Sequence, residues 1–453
     1  MDAHDQRKHQ VGLLASVVAL FVAAGCGGTT APPPAPTSAV AVTARAAPVF
    51  IEDDYARALA EAKEKKRPVF VDAWAPWCHS CLSMRAYVLS DPALAPLANE
   101  LVWLAIDTEK DQNLAFTSKF GNRVWPTLWV IDPETETATL RWEGTATTPE
   151  LLTLLGAVQA KRGAARGGEA HDDFRRGTEL YARGELAEAE RAFARAMDGD
   201  LVTRPQAVEA LVGLVAARKD HRVCSTLAAT LGPTLPIGTS RATVLATGLG
   251  CAREAKRDSE LALLVEAAEK SARDPDPRMA ADDRSALYEE LVEAKKEKGD
   301  EAGAKGLARE WATFLEAEAK RAPSKSARAV FDAHRLLAYL AAGEPARAVP
   351  MLEESERDFP TDYNPPARLA KAYLTMSRLD DARAAADRAI ARVYGPRALR
   401  VFSLAADIAK ARGDAAAERT LLEQALARTK SVVLNEGQKK LRSDLEQRLS
   451  ALR

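Results

Sequence analysis

The sequence has no long basic tract and almost no net charge. Lys and Arg number 63 against 64 Asp and Glu, which leaves a formal net charge of −1 at pH 7. Proteins that bind nucleic acids normally carry a basic patch or stripe. The composition therefore excludes nucleic acid as an expected partner.

An apolar run that could span a bilayer is also missing near the N-terminus. The run at residues 11–24 falls short of the roughly 20 residues that a transmembrane helix needs. It follows Arg7 and Lys8 and precedes small residues, an arrangement typical of a secretory signal. We therefore interpret residues 1–26 as a signal peptide.

Cysteine is scarce, with five among 453 residues, and only Cys78 and Cys81 form a close pair. A structural zinc site needs four ligands, so no metal is expected. Cys224 and Cys251 fall in a helical region and are interpreted as small core residues. A disulfide between them is the open alternative, because the signal peptide implies an oxidising compartment.

Tryptophan becomes rare after about residue 163, where Trp311 is the single one among the seven of the chain. The sequence there is rich in Ala, Leu, Arg and Glu at helical spacing, with almost no strand signal. His171, His221 and His334 are isolated on these helices and are interpreted as structural. Because 453 residues exceed one compact core, we expect two folded units, at 49–162 and 171–453, joined by a linker at 163–170.

The first unit alternates helices and strands. Helices are predicted at 53–65, 78–89, 114–120 and 149–161, and strands at 68–74, 101–106, 127–131 and 139–142. This order, ending in a hairpin, predicts an α/β fold with a mixed sheet.

A predicted strand runs directly into a Cys-x-x-Cys motif, in the string Val71-Asp72-Ala73-Trp74-Ala75-Pro76-Trp77-Cys78-His79-Ser80-Cys81. At a helix start, unpaired backbone N–H groups and the helix dipole stabilise a thiolate, which makes Cys78 the nucleophile. The spacing lets Cys81 attack a mixed disulfide and release the product. Asp72 lies within an apolar strand, where an unpaired carboxylate is costly, which indicates a tuned group.

That string resembles thioredoxin at almost every position. The resemblance implies that Asp72 is the buried carboxylate that accepts the Cys81 proton, and that Trp77 is the tryptophan beside the first cysteine. The string Phe120-Gly121-Asn122-Arg123-Val124-Trp125-Pro126-Thr127-Leu128 resembles the segment with the cis-proline. Pro126 would hold a substrate strand, and the Trp125 backbone would pair with it.

Within that superfamily, Cys81-Leu82-Ser83-Met84 and the later Ser90-Asp91-Pro92 most resemble the periplasmic C-terminal domain of DsbD-type disulfide interchange proteins. His79 and Ser80 stand where thioredoxin has Gly-Pro. An imidazolium at His79 and a more flexible Ser80 are expected to tune the site, raising the reduction potential above thioredoxin's approximately −270 mV. Trp125 is bulkier than the usual residue before this proline, which leaves substrate choice open.

The second unit repeats itself with a 34-residue shift. Its small and apolar positions recur in three sets: Gly177, Ala189, Phe193 and Ala196; Leu336, Ala348, Leu352 and Ser355; Ala370, Tyr373, Ala382, Ala386 and Ala389. This period resembles the tetratricopeptide repeat, which implies a helical solenoid that binds another protein. An irregular helical solenoid is the alternative.

The string Val22-Ala23-Ala24-Gly25-Cys26 resembles the lipobox of bacterial lipoproteins, although Ala23 stands where Leu is usual. The resemblance implies a lipid-modified Cys26, and Gly27 after it implies the outer membrane, facing the periplasm. Residues 27–48, rich in Pro, Ala and Thr, would form an extended tether. A cleaved signal with an incidental cysteine is the alternative.

Together these features predict a thioredoxin-like α/β domain followed by an all-α tetratricopeptide-like solenoid in an envelope lipoprotein. The expected activity is thiol–disulfide exchange with protein substrates, without a cofactor. It requires a membrane electron donor if the protein reduces, or an oxidase if it oxidises. The alternative is a non-catalytic scaffold lipoprotein that binds proteins through both folds. The joint presence of both cysteines, Asp72 and Pro126 favours the enzyme.

Overall fold

The computed structural model describes residues 47–160 and 168–452. The predicted signal peptide, Cys26, most of the tether and most of the predicted linker lie outside these residues. Among the described residues, no helix combines the length and the apolar character needed to cross a bilayer.

The first unit is a five-stranded mixed sheet with helices on both faces, which confirms the predicted fold class. Its strands are β1 (Phe50–Glu52), β2 (Val69–Trp74), β3 (Val102–Asp107), β4 (Thr127–Ile131) and β5 (Ala138–Glu143), and its helices are α1 (Tyr55–Lys65), α2 (His79–Ser83), α3 (Leu114–Phe120) and α4 (Thr148–Ala160). The strand order is β1-β3-β2-β4-β5. β1 and β2 run parallel to β3, whereas β4 is antiparallel to β2 and β5.

Two local features differ from the sequence prediction. The strand β1 was not predicted, because three residues are too few to show alternation, and it forms by pairing with β3. The helix expected at 78–89 has a short α-helical part, α2, followed by a π-helical segment, Met84–Val88. The turn after it leads into a 3-10 helix, Pro92–Leu97.

The two faces of the sheet have different neighbours. Ala58 of α1 and Phe116 of α3 pack in one buried cluster with Val71 of β2. Phe70 belongs to the other cluster, which continues into the second unit. Because side chains alternate along a strand, Asp72 lies on the same face as Phe70.

The second unit is a solenoid of helices. Within the described residues they are α5 (Glu169–Ala182), α6 (Leu186–Ala196), α7 (Thr203–Ala217), α8 (His221–Leu231), α9 (Thr239–Glu254), α10 (Asp258–Ala272), α11 (Ala281–Glu297), α12 (Glu301–Arg321), α13 (Lys325–Ala329), α14 (Asp332–Ala342), α15 (Ala348–Asp358), α16 (Asn364–Thr375), α17 (Leu379–Arg392), α18 (Ala398–Ala411), α19 (Ala415–Arg428) and α20 (Glu436–Ala451). Short 3-10 turns lie at Gly232–Thr234, Pro345–Arg347 and Gly395–Arg397.

The repeat positions lie where paired helices touch. A Cβ atom at Gly177 of α5 would come within 2.6 Å of the Phe193 ring of α6, so only glycine allows this approach. Ala348 and Ala382, one repeat apart, are both fully buried. The small residues are therefore required by close helix packing, as the repeat pattern predicts.

The interpretation of Cys224 and Cys251 as unpaired core residues is wrong, because the two form a disulfide. Cys224 lies on α8 and Cys251 on α9, neighbouring helices whose antiparallel packing brings the side chains together. Both cysteines are buried. The sequence separation of 27 residues corresponds to a stabilisation of about 3.5 kcal/mol in the chain-entropy model.

Candidate redox site

The Cys-x-x-Cys motif lies where β2 ends and α2 begins. Cys78 is the N-cap of α2, and its Sγ accepts the backbone N–H of Cys81 at 3.0 Å. The Ser80 hydroxyl lies 3.3 Å from the same sulfur. These contacts with Cys78 Sγ would stabilise a thiolate there in the reduced protein.

The two cysteines form a disulfide and differ in exposure. Cys78 is 3% exposed and Cys81 is fully buried. Both residues are therefore buried, and the division of roles between them stays a prediction.

Three tryptophans, Trp74, Trp77 and Trp125, pack against the cluster that the two cysteines form with Ala75. The rings of Trp77 and Trp125 lie 5.2 Å apart, and Trp125 Nε1 donates to Thr108 Oγ1 at 2.8 Å. The Trp125–Pro126 peptide bond is cis, as the motif predicts. Ser80 Oγ donates to the Trp125 carbonyl at 3.3 Å, so the carbonyl expected to face a substrate strand adjoins the motif.

Asp72 is fully buried on β2. In the part of the chain that the structure describes, neither of its carboxylate oxygens has a hydrogen-bond partner. Burial raises the pKa of Asp72 to about 7, an effect that Arg85 opposes and Glu52 reinforces. A carboxyl group that titrates near neutrality can both accept and return a proton, which suits the predicted role.

His79 points toward the repeats. Its Nδ1 lies 2.9 Å from both carboxylate oxygens of Asp282, which lies in the first turn of α11. Burial alone would lower the pKa of His79, but the charge and hydrogen bond of Asp282 raise it above its usual value. Asp282 offsets the charge of a His79 imidazolium and so weakens its effect on the Cys78 sulfur. The predicted effect of His79 on the reduction potential therefore stays a prediction.

The interpretation of His334 as isolated is wrong. Its ring, on α14, lies 3.8 Å from that of His79, centroid to centroid, and both lie beside Asp282. Burial lowers the pKa of His334 to about 3, and the charge of His79 acts in the same direction. Nothing in the sequence brings these residues together, because the curvature of the solenoid determines which helix faces the motif.

Other repeat residues contact the loops around the motif, and sequence reasoning missed them. The Asn364 side chain donates to the Pro76 carbonyl at 3.1 Å. Glu109 accepts hydrogen bonds from Trp77 Nε1 at 3.1 Å and from the Arg397 backbone at 2.8 Å. The Arg397 guanidinium also lies over the Trp77 ring, 5.0 Å from its centroid. Residues of the repeats thus contact the loops on more than one side of the Cys-x-x-Cys motif.

A small cleft opens beside Trp77 and Trp125. It has a volume of about 160 Å³, and its lining includes Trp77, Trp125, Arg397, Arg400 and Gln438. The thioredoxin-like unit contributes the aromatic side of this cleft and the repeats contribute its cationic side.

Two family models match parts of the chain. A thioredoxin-like family matches residues 50–133, and a tetratricopeptide-repeat family matches residues 339–408. The first range contains the cysteine pair, Asp72 and the cis-proline. The second contains two of the three predicted repeat sets in part or whole.

Curated relatives match a short part of the chain. A thiol:disulfide interchange protein DsbD of Pseudoalteromonas atlantica is 30% identical over 82 residues, 18% of this chain and 14% of that protein. Protein disulfide-isomerase 1 of Dictyostelium discoideum is 33% identical over 91 residues, 20% of this chain and 24% of that protein. The matches thus span less than a quarter of either relative.

Solved structures resemble the solenoid distantly. A tetratricopeptide repeat protein from Parabacteroides merdae aligns with 62% of this chain and 100% of its own, at 12% identity and a TM-score of 0.40. The type IV pilus biogenesis factor PilW aligns with 61% of this chain and 99% of its own, at 13% identity and a TM-score of 0.34. The two family models thus show that the chain joins a thioredoxin-like domain at residues 50–133 to tetratricopeptide repeats at residues 339–408.

Proposed function

We propose that this protein is a thiol–disulfide oxidoreductase that exchanges disulfides with protein substrates through Cys78 and Cys81. The observation that carries the proposal is Cys78 at the N-cap of α2, its sulfur accepting the Cys81 N–H at 3.0 Å. Cys78 attacks, Cys81 resolves, Asp72 takes and returns the proton, and Pro126 holds the substrate strand. A membrane electron donor or an oxidase restores the pair after each cycle.

In this proposal the repeats have two functions. They bind another protein, and they cover the Cys-x-x-Cys motif so that only some substrates reach it. Contacts such as Asn364 to Pro76 and Arg397 to Glu109 restrict approach to Cys78, a residue that is 3% exposed. Substrates that fit the cleft beside Trp77 and Trp125 are then favoured over bulky folded proteins. The repeats would thus give the thioredoxin-like domain selectivity among disulfide substrates.

The test is disulfide reduction by the purified full chain with dithiothreitol as reductant. Insulin and a small aromatic disulfide are offered in parallel. We expect both to be reduced faster than by dithiothreitol alone. The small disulfide should be accelerated more, because the repeats leave it access to Cys78. Should neither reaction be accelerated while the repeats still bind a partner, the scaffold function replaces the enzymatic one.

The proposed location is the cell envelope, with the protein anchored by a lipid on Cys26 to the outer membrane and facing the periplasm. Several acyl chains on one cysteine give stable anchoring, since each buried methylene contributes about 0.8 kcal/mol. We expect Cys26→Ala to release the protein from membranes or to leave it unprocessed. Membrane fractionation and the mass of the purified chain test this, and an unchanged result for both would contradict the lipid assignment.

A further inference from the structure

His79, Asp282 and His334 converge where the thioredoxin-like domain meets the repeats. His79 lies at the start of α2, Asp282 at the start of α11 and His334 on α14. One ligand atom from each lies within 4.8 Å of the others. We propose that these three residues bind a divalent transition-metal ion, with Zn²⁺ the best match.

The donor set fits the chemistry of this ion. Two imidazole nitrogens and one carboxylate oxygen, with one position left open, form a common three-ligand zinc arrangement. His79 Nδ1 lies 2.9 Å from Asp282 Oδ1, and His334 Nδ1 lies 3.9 Å from the same oxygen. With metal–ligand bonds of about 2.0–2.2 Å, the side chains need to shift by only about 1 Å to enclose an ion.

The surroundings would orient His334 for this role. Its Nε2 lies 3.4 Å from a carboxylate oxygen of Glu289, the kind of partner that fixes the tautomer of a metal-bound histidine. Its Nδ1 lies 2.6 Å from Ser285 Oγ, which accepts a hydrogen bond from the buried Trp311. An ion would replace the Ser285 hydroxyl as the partner of Nδ1, and Glu289 would keep its contact with Nε2.

Burial distinguishes this cluster from chance neighbours on a surface. The side chains of Asp282 and His334 are each 2% exposed, whereas that of His79 is 30% exposed. An ion could therefore enter from the side of His79. Once bound, it would join α2 to two repeat helices, at the residue next to Cys78, and hold the motif against the solenoid.

The test is Zn²⁺ titration by calorimetry of the full chain carrying Cys26→Ser, without an affinity tag and with both disulfides formed. Oxidation removes the cysteine thiolates as competing ligands. We expect one equivalent of Zn²⁺ to bind at about pH 8, because proton competition for the ligand atoms falls as the pH rises. Hydrogen exchange at residues 79–83 should slow when Zn²⁺ is added.

Variants identify the ligands. His79→Ala, at the exposed end of the site, should weaken binding at least tenfold and abolish the Zn²⁺ effect on hydrogen exchange. Glu289→Gln should weaken it about 10–100-fold through His334. His171→Ala, the matched control outside the cluster, should bind as the parent does.

Three results would overturn the proposal. One is the absence of Zn²⁺ binding by the oxidised parent chain. Another is binding that His79→Ala leaves unchanged. The third is binding by the reduced chain alone, which would assign the ion to the thiolates of Cys78 and Cys81. None of these outcomes bears on disulfide exchange itself, so the proposed function is tested separately.

Discussion

Stable mixed disulfides with partner proteins are expected to accumulate in a Cys81→Ala variant, and few or none in Cys78→Ala. Cys78 Sγ accepts the Cys81 N–H and lies 3.3 Å from the Ser80 hydroxyl, so it is the thiolate that the fold stabilises. Cys81 is fully buried, so its sulfur attacks the mixed disulfide at Cys78 from the protein interior. Without Cys81, the covalent intermediate has no internal route to release.

Catalytic exchange itself should fall by about a thousandfold or more in Cys78→Ala, because the nucleophile is lost. Dithiothreitol-driven reduction of a small disulfide measures this loss, and non-reducing electrophoresis of cell extracts measures trapping. A Cys224→Ala/Cys251→Ala double variant serves as the control, since it removes the disulfide between α8 and α9 and keeps both Cys78 and Cys81. Equal trapping by both single variants would mean that the roles of Cys78 and Cys81 are assigned wrongly.

A slower resolving step is expected of Asp72→Asn, by about a hundredfold at neutral pH, the low end of what a general base contributes. The carboxyl group of Asp72 has a pKa of about 7, and only its ionised form can accept the Cys81 proton. The rate at which the parent chain releases a preformed mixed disulfide should therefore rise as the pH passes through 7. In Asp72→Asn that rise should be missing, which stopped-flow measurement of product release can detect.

The same substitution slows the resolving step but should make the folded protein more stable above neutral pH. Burial raises the Asp72 pKa from 3.8 to about 7, so the folded state favours the protonated form. Stability linked to this group is complete below about pH 4 and is lost as the pH rises through 7, by about 4 kcal/mol in total. Asp72→Asn is neutral at every pH. Its unfolding midpoint, in temperature or in denaturant concentration, should therefore be higher than that of the parent chain at pH 8 and about equal to it at pH 4.

Asp111→Asn is the matched control for both measurements, because Asp111 is an exposed aspartate in the same domain. It should follow the parent chain in resolving rate and in the pH dependence of unfolding. If Asp72→Asn loses stability with rising pH as the parent does, Asp72 is not the buried acid that titrates near pH 7.

The sequence by itself determined the elements whose signals are local. The apolar run of β2 followed by Cys-x-x-Cys predicts a strand, a helix N-terminus and a nucleophile, and Pro126 marks the facing loop. The 34-residue shift from Leu336 to Ala370 predicts repeated helix pairs, because small residues must recur where helices touch. These patterns depend on neighbours within one element or one repeat, which a linear pattern contains.

Only the tertiary structure decided which distant residues meet. The disulfide of Cys224 with Cys251 requires the packing of α8 on α9, and β1 exists through its pairing with β3. His79 and Asp282 are 203 residues apart, and they meet because small rotations between successive helix pairs add up to the curvature of a solenoid. That sum depends on the packing of every repeat, so the contacts over the cysteine pair follow from the whole solenoid and from no single motif.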